Sequence, residues 1–124
     1  EGLGRKGELI GLEVNMRPSG GISPDMMNFS QSTDVYKIWA DMIAYDSSLR
    51  GIGQTAFCAF AGRRDGKNFV ISDEDIMRKY GANMNMAGRV AEALSGAMGN
   101  RMYIANFNTR EEMDAFYRDV LACR

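Results

Sequence analysis

Histidine is missing from all 124 residues. Its absence excludes Ser-His and Cys-His nucleophilic pairs and every imidazole-ligated metal site within this chain. Chemistry here must rest on carboxylates, amides, arginine, lysine or backbone N–H groups. Cysteine is scarce as well. Cys58 and Cys123 form no CxxC pair and no dense disulfide framework. They read as thiols of a reducing, cytoplasmic compartment, with a 58–123 disulfide left open. No apolar run approaches the ~20 residues of a membrane span, and no signal peptide is visible. Neither sign of charge dominates: 15 Lys+Arg against 16 Asp+Glu leave a formal charge of −1. Dedicated binders of nucleic acid or of acidic membranes usually carry a basic excess, so both are excluded as expectations.

What remains is globular composition, 45% hydrophobic and 25% charged, in the size range of one domain. The ten methionines read as core filling. The chain begins Glu1-Gly2-Leu3-Gly4 rather than with Met, which is expected of a piece of a longer protein.

Residues 8–17 read as a strand, with Ile10, Leu12, Val14 and Met16 on one face and Glu13, Asn15 and Arg17 on the other. Pro18 ends it, and Ser19-Gly20-Gly21 follows as a loop. Ser23-Pro24 predicts an N-cap followed by a short helix to about Phe29. Val35, Ile38, Trp39, Met42 and Ile43 form an amphipathic helical stripe, capped by Thr33 or Asp34. On that stripe Trp39 reads as a core or inter-domain packing residue.

Residues 55–61, apolar on both faces, predict a central covered strand. Asp65-Gly66 signals a hairpin turn, with residues 68–71 as the returning arm. Arg63, Arg64 and Lys67 flank this turn and read as its solvated tip before a contact for nucleic acid or a substrate anion. Ser72 caps a helix to about Tyr80, stopped by Gly81, and Asp73-Glu74-Asp75 complements that helix's dipole. Residues 90–94 are assigned to a strand and Ser95–Asn100 to a glycine-rich loop, a plain turn before a substrate- or anion-facing one. Met102–Phe107 is a strand by its aromatic and β-branched content. Thr109 and Glu112 form a capping box before a helix whose stripe is Met113, Phe116, Tyr117, Val120 and Leu121. Strands joined by a hairpin and flanked by helices indicate an α+β fold, a mainly antiparallel sheet with helices packed on it.

One polar pattern has a chemical use. Glu13 and Asn15 on one strand face offer a carboxylate and an amide oxygen, donors suited to Mg²⁺ or Mn²⁺. Arg17 follows on the same face, with a planar guanidinium that matches phosphate or carboxylate. Gly20 and Gly21 let backbone N–H groups approach an anion closely.

The run Glu13-Val14-Asn15-Met16-Arg17, followed by Pro-Ser-Gly-Gly and a helical segment, resembles the ExNxR strand of the ATP-grasp superfamily. Residues 12–46 are similar to the corresponding region of biotin carboxylase and the large subunit of carbamoyl phosphate synthase. The resemblance implies that Glu13 bridges two Mg²⁺ ions and that Asn15 ligates one of them. It implies that Arg17 holds the transferred phosphate or the carboxylate substrate. Members of the superfamily phosphorylate a carboxylate with ATP, and a nucleophile then attacks the acyl phosphate. Their phosphate loop, adenine-binding residues and phosphate-binding lysine all precede this strand. The chain is therefore expected to be the C-terminal part of a ligase, inactive in isolation and prone to self-association through surface left uncovered. The alternative is a non-catalytic α+β ligand-binding or protein-interaction module.

Overall fold

A computed structural model describes Arg17, residues 19–51 and residues 53–124. The strand expected over residues 8–17, including Glu13 and Asn15, lies outside the described residues except for Arg17. The described elements run in the order α1 (Ser23–Gln31), α2 (Val35–Tyr45), β1 (Phe57–Arg63), α3 (Asp73–Tyr80), β2 (Met84–Arg89), α4 (Glu92–Met98), β3 (Arg101–Phe107) and α5 (Arg110–Leu121). A short 3-10 turn, Gly81–Asn83, links α3 to β2. The sheet is antiparallel with order β1-β3-β2, so the fold is α+β, as its strand and helix patterns predict.

Tyr103, Ile104 and Ala105 are successive residues of β3 and all fully buried. Successive strand residues face opposite sides, so both faces of β3 are covered, as befits the central strand. The expectation that residues 55–61 form the central strand is corrected for the described sheet: β1 starts at Phe57 and, among the described residues, pairs only with β3, which holds the centre. Its two-sided apolar character has another cause. Ala59 and Ala61 face α5 in the main core. Cys58 and Phe60 lie on the other face, the face of Asn106, whose side-chain amide donates to the Phe29 carbonyl of α1 at 2.7 Å. An edge strand with a helix on each face carries the same pattern as a central one.

The main core lies between the sheet, α5 and α3. Phe116 is its hub, with ring centroids 5.2 Å from both Tyr80 and Phe107. Ile76, Tyr103 and Val120 fill the space around it. The two helices that build this core have local start signals that act as expected. Ser72 Oγ accepts from Asp75 N at 3.1 Å. Thr109 Oγ1 accepts from Glu112 N, and the Glu112 carboxylate accepts from Thr109 N, which completes the capping box. Asp34 caps α2 by accepting from Lys37 N.

Other expectations are corrected. The residue capping α1 is Ile22, with Ser23 and Pro24 already inside the first turn, and no side chain caps it. The end of α3 falls at Tyr80 with Gly81 as its C-cap, as expected, although Gly81 stays right-handed at φ −55° and leads into the 3-10 turn. The turn at Asp65-Gly66 forms, with Gly66 at φ +81°, but residues 68–71 do not return along β1. They run to the end of α5 instead, where Val70 N donates to Ala122 O and Arg124 N to Asn68 O. The edge of β1 that a hairpin partner would need is thus not taken by its sequence neighbour; β3 holds the other edge.

The strand assigned to residues 90–94 is also displaced. β2 spans Met84–Arg89, and α4 begins at Glu92 and takes in most of the residues read as a glycine-rich loop. Gly99, at φ +86°, ends α4. A Cβ there would sit 2.8 Å from the Arg63 carbonyl oxygen, so the close approach of α4's end to β1 requires glycine. Cys58 and Cys123 are free thiols. No helix among the described residues is long and apolar enough to cross a membrane.

Candidate functional site

Of the residues expected to form a site, Arg17, Gly20 and Gly21 are described, and all three are exposed. Open space surrounds the position where a Cβ would sit on Gly20 and on Gly21, and Gly21 adopts φ +67°. Any other residue at 21 would be strained. Their backbone is therefore open to an approaching group, as an anion cradle requires.

Arg17 and Ser19 stand beside Pro24, Met27, Val35, Ile38, Trp39 and Met42 around a groove of about 310 Å³ between α1 and α2. The expected stripe of α2 forms as a helix face, but none of its residues is buried, and Trp39 remains 37% exposed. Trp39 is thus a groove residue rather than a core residue of the described chain. Ile43 and Tyr45 are more exposed still. A helix stripe of this apolarity normally faces a partner surface.

A second constellation lies at the other end of β1. In the sheet register Arg101 is the partner of both Arg63 and Arg89, so three arginines stand side by side across the three strands. Directly opposed residues project to the same face with Cα atoms about 5 Å apart, and like charges there repel. Arg63, read from sequence as part of a solvated turn, is only 4% exposed. Its position on the inward face of β1, two residues beyond Ala61, buries it. The guanidinium lies 4.4 Å over the ring of Phe69, and its Nε donates to the Val120 carbonyl at 2.8 Å.

Asp73 offsets part of this repulsion. One carboxylate oxygen pairs with Arg63 Nη1 at 2.9 Å and accepts from the Tyr103 hydroxyl; the other pairs with Arg101 Nη1 at 2.9 Å. The acidic run read as complementing a helix dipole is therefore divided. Asp75 serves the cap and Arg78, whereas Asp73 is a bridge between strands. Arg89 makes a two-pronged pair with Asp65 at 2.7 and 2.8 Å.

Arg63, Asp65, Asp73, Arg89 and Arg101, with Arg64 and Lys67, line a cleft of about 210 Å³. Five cationic side chains there face two carboxylates. Partial burial pushes the Asp73 carboxyl up, but the Tyr103 hydroxyl, Arg101 and Arg63 outweigh it and hold the pKa below the usual value. Burial, then the hydrogen bond to Asp73, pushes the Tyr103 phenol up to about 12. Hydrogen bonding by Arg89 draws Asp65 down.

No family model, curated protein or solved structure matches this chain. Its chemistry is read from its own residues. Among the described residues no cluster of three or more carboxylates or cysteines is placed to hold a metal ion. The oxygen donors expected for a metal are Glu13 and Asn15. The arginine cleft has instead the character of an anion site. Three of its cations, Arg63, Arg64 and Lys67, are visible in the sequence as turn residues; Arg89 and Arg101 are not, because residues 63, 89 and 101 meet only through strand pairing.

Proposed function

We propose that this chain is the C-terminal part of an ATP- and Mg²⁺-dependent ATP-grasp ligase that activates a carboxylate. The residue pattern Glu13-x-Asn15-x-Arg17-Pro-Ser-Gly-Gly carries the reading. The uncovered apolar face of α2 supports it, because an upstream ATP-binding core resting on this face would bury it. The exposure of Arg17 at the edge of that groove supports it further.

In this reading Glu13 and Asn15 hold the metal through oxygen, the ligand type that Mg²⁺ prefers. Arg17 orients the carboxylate or the phosphate, through a fork that matches either group. The open backbone at Gly20 and Gly21 offers N–H groups to an anion. Bound Mg²⁺–ATP supplies the phosphoryl group and neutralises its charge during transfer.

The 124-residue chain alone is expected to release no ADP from Mg²⁺–ATP. Joined to an upstream ATP-binding core, it is expected to take part in carboxylate-dependent turnover. An ADP-release assay of the purified chain checks this, and Mg²⁺-dependent turnover by the chain alone contradicts it. The second reading, a non-catalytic α+β ligand-binding module, is favoured by the arginine cleft. Carboxylate-dependent ATP turnover by the protein that carries this chain separates the two.

A further inference from the structure

We propose that the cleft at the Arg63–Arg101–Arg89 end of the sheet binds a small phosphate polyanion of the diphosphate class. It does not rest on the ligase reading. The cleft carries a local excess of positive charge. Arg63, Arg64, Lys67, Arg89 and Arg101 face only Asp65 and Asp73, an excess of three positive charges around one cavity. The whole chain, by contrast, has a net charge of −1, so this excess is local.

The pairing of the arginines is also incomplete. Arg63 Nη2 and Arg101 Nε are buried and have no hydrogen-bond partner among the described residues. A buried donor left unpaired is costly, and a guanidinium more so than a neutral group. Both residues line the cleft. Asp73 already spends its oxygens on Arg63, Arg101 and Tyr103, so it has little capacity left for these donors.

The cleft is preorganised. The 64–67 loop is pinned at both sides: Asp65 N donates to Asn100 Oδ1 at 3.0 Å, and Arg64 Nη2 to the Gly96 carbonyl at 2.7 Å. Asn100 N donates in turn to the Arg63 carbonyl at 2.8 Å. Stacking on Phe69 fixes the plane of the Arg63 guanidinium. Cations held in place before binding lose little freedom when an anion arrives.

The class of ligand follows from charge and volume. A single carboxylate would leave most of the excess unneutralised. Arginine forks match phosphate oxygens in pairs, and lysine adds a point charge. A cavity of about 210 Å³, set in one pocket rather than along a stripe, suits a small molecule over a nucleic-acid strand. Asp65 competes for Arg89 with any anion that enters, which gives the proposal a distinctive signature.

Isothermal titration of the 124-residue chain with sodium pyrophosphate at low ionic strength tests the proposal. One saturable site is expected, weakening as salt is added. Lys67→Ala and Arg89→Ala, both at exposed positions, are each expected to weaken binding about tenfold. Asp65→Asn is expected to tighten it, because the competing carboxylate is gone. Lys79→Ala, a cation on α3 paired with Asp119, is expected to leave it unchanged. Absence of saturable binding overturns the proposal, as does equal affinity in the Lys67 and Arg89 variants. Equal binding of citrate overturns the assignment to phosphate. A single-stranded oligonucleotide that binds more tightly with increasing length overturns it in favour of a nucleic-acid surface.

Discussion

Phe116→Ala is expected to lower the free energy of unfolding by about 3–5 kcal/mol. Phe116 is fully buried and its ring meets Tyr80 edge-on and Phe107 at a tilt. Truncation removes a transfer contribution and leaves a cavity between α5, α3 and β3. The neighbours have little freedom to fill it. Tyr80 is tethered through its hydroxyl to Asp119 at 2.7 Å, and Phe107 sits in the paired register of β3. Urea denaturation followed by circular dichroism measures the loss as a lower midpoint with an unchanged slope. A loss under about 1 kcal/mol would mean that this cluster is not the centre of the fold.

Asp73→Ala is expected to cost about 2–3 kcal/mol. Breaking a fully buried ion pair costs about 3–5 kcal/mol, and the 37% exposure of the Asp73 side chain lets water screen part of that. The variant leaves Arg63 buried without its carboxylate and returns the repulsion among Arg63, Arg101 and Arg89 to full strength. It also strands the Tyr103 hydroxyl. The same pair sets a pH dependence. The folded pKa of Asp73 lies below its ordinary 3.8, so its contribution is complete above that value and is lost as pH falls through the lowered one. The folded pKa of Tyr103, about 12 against an ordinary 10.0, works in the opposite sense. Its contribution is complete below pH 10 and is lost as pH rises towards 12. Denaturation midpoints measured across acid and alkaline pH should therefore show both losses in the wild type. In Asp73→Ala the acid loss should shrink. An unchanged acid limb in that variant would show that other carboxylates govern it.

The parts of the fold that were legible in the sequence are those set by neighbours in the chain. Thr109 and Glu112 are three residues apart and cap each other wherever the helix packs. Ser72, three residues before Asp75, accepts from Asp75 N at the start of α3, and the aromatic and β-branched content of Met102–Phe107 sufficed for β3. What depended on distant partners was not legible. The two-sided apolarity of residues 57–61 is compatible with a centre or with an edge covered by α1 and α5. Met84–Arg89 lacks β-branched residues, so β2 exists because β3 offers it a partner, and propensity pointed to Val90 instead. The stripe on α2 announced a helix but not what covers it. Arg63 looked like a turn residue because its burial comes from Phe69 and from Val120, 57 residues away. The arginine row required the pairings of β3 with both neighbours. Of the site read from sequence, Arg17, Gly20 and Gly21 stand exposed, and Glu13 and Asn15 lie outside the described residues.

We propose that Glu13, Asn15 and Arg17 belong to the active site of an ATP-grasp ligase. Carboxylate-dependent ADP release tests it most directly, measured on the protein that carries this chain together with its ATP-binding core, with and without Glu13→Gln. The substitution keeps the shape of the side chain and removes the charge that would hold Mg²⁺. The account predicts that the wild type turns ATP over only with Mg²⁺. It predicts that Glu13→Gln stays folded and loses at least about 100-fold in rate, the scale of removing one well-placed electrostatic group. Full Mg²⁺–ATP turnover in Glu13→Gln, or none in the wild type with any carboxylate, would contradict it.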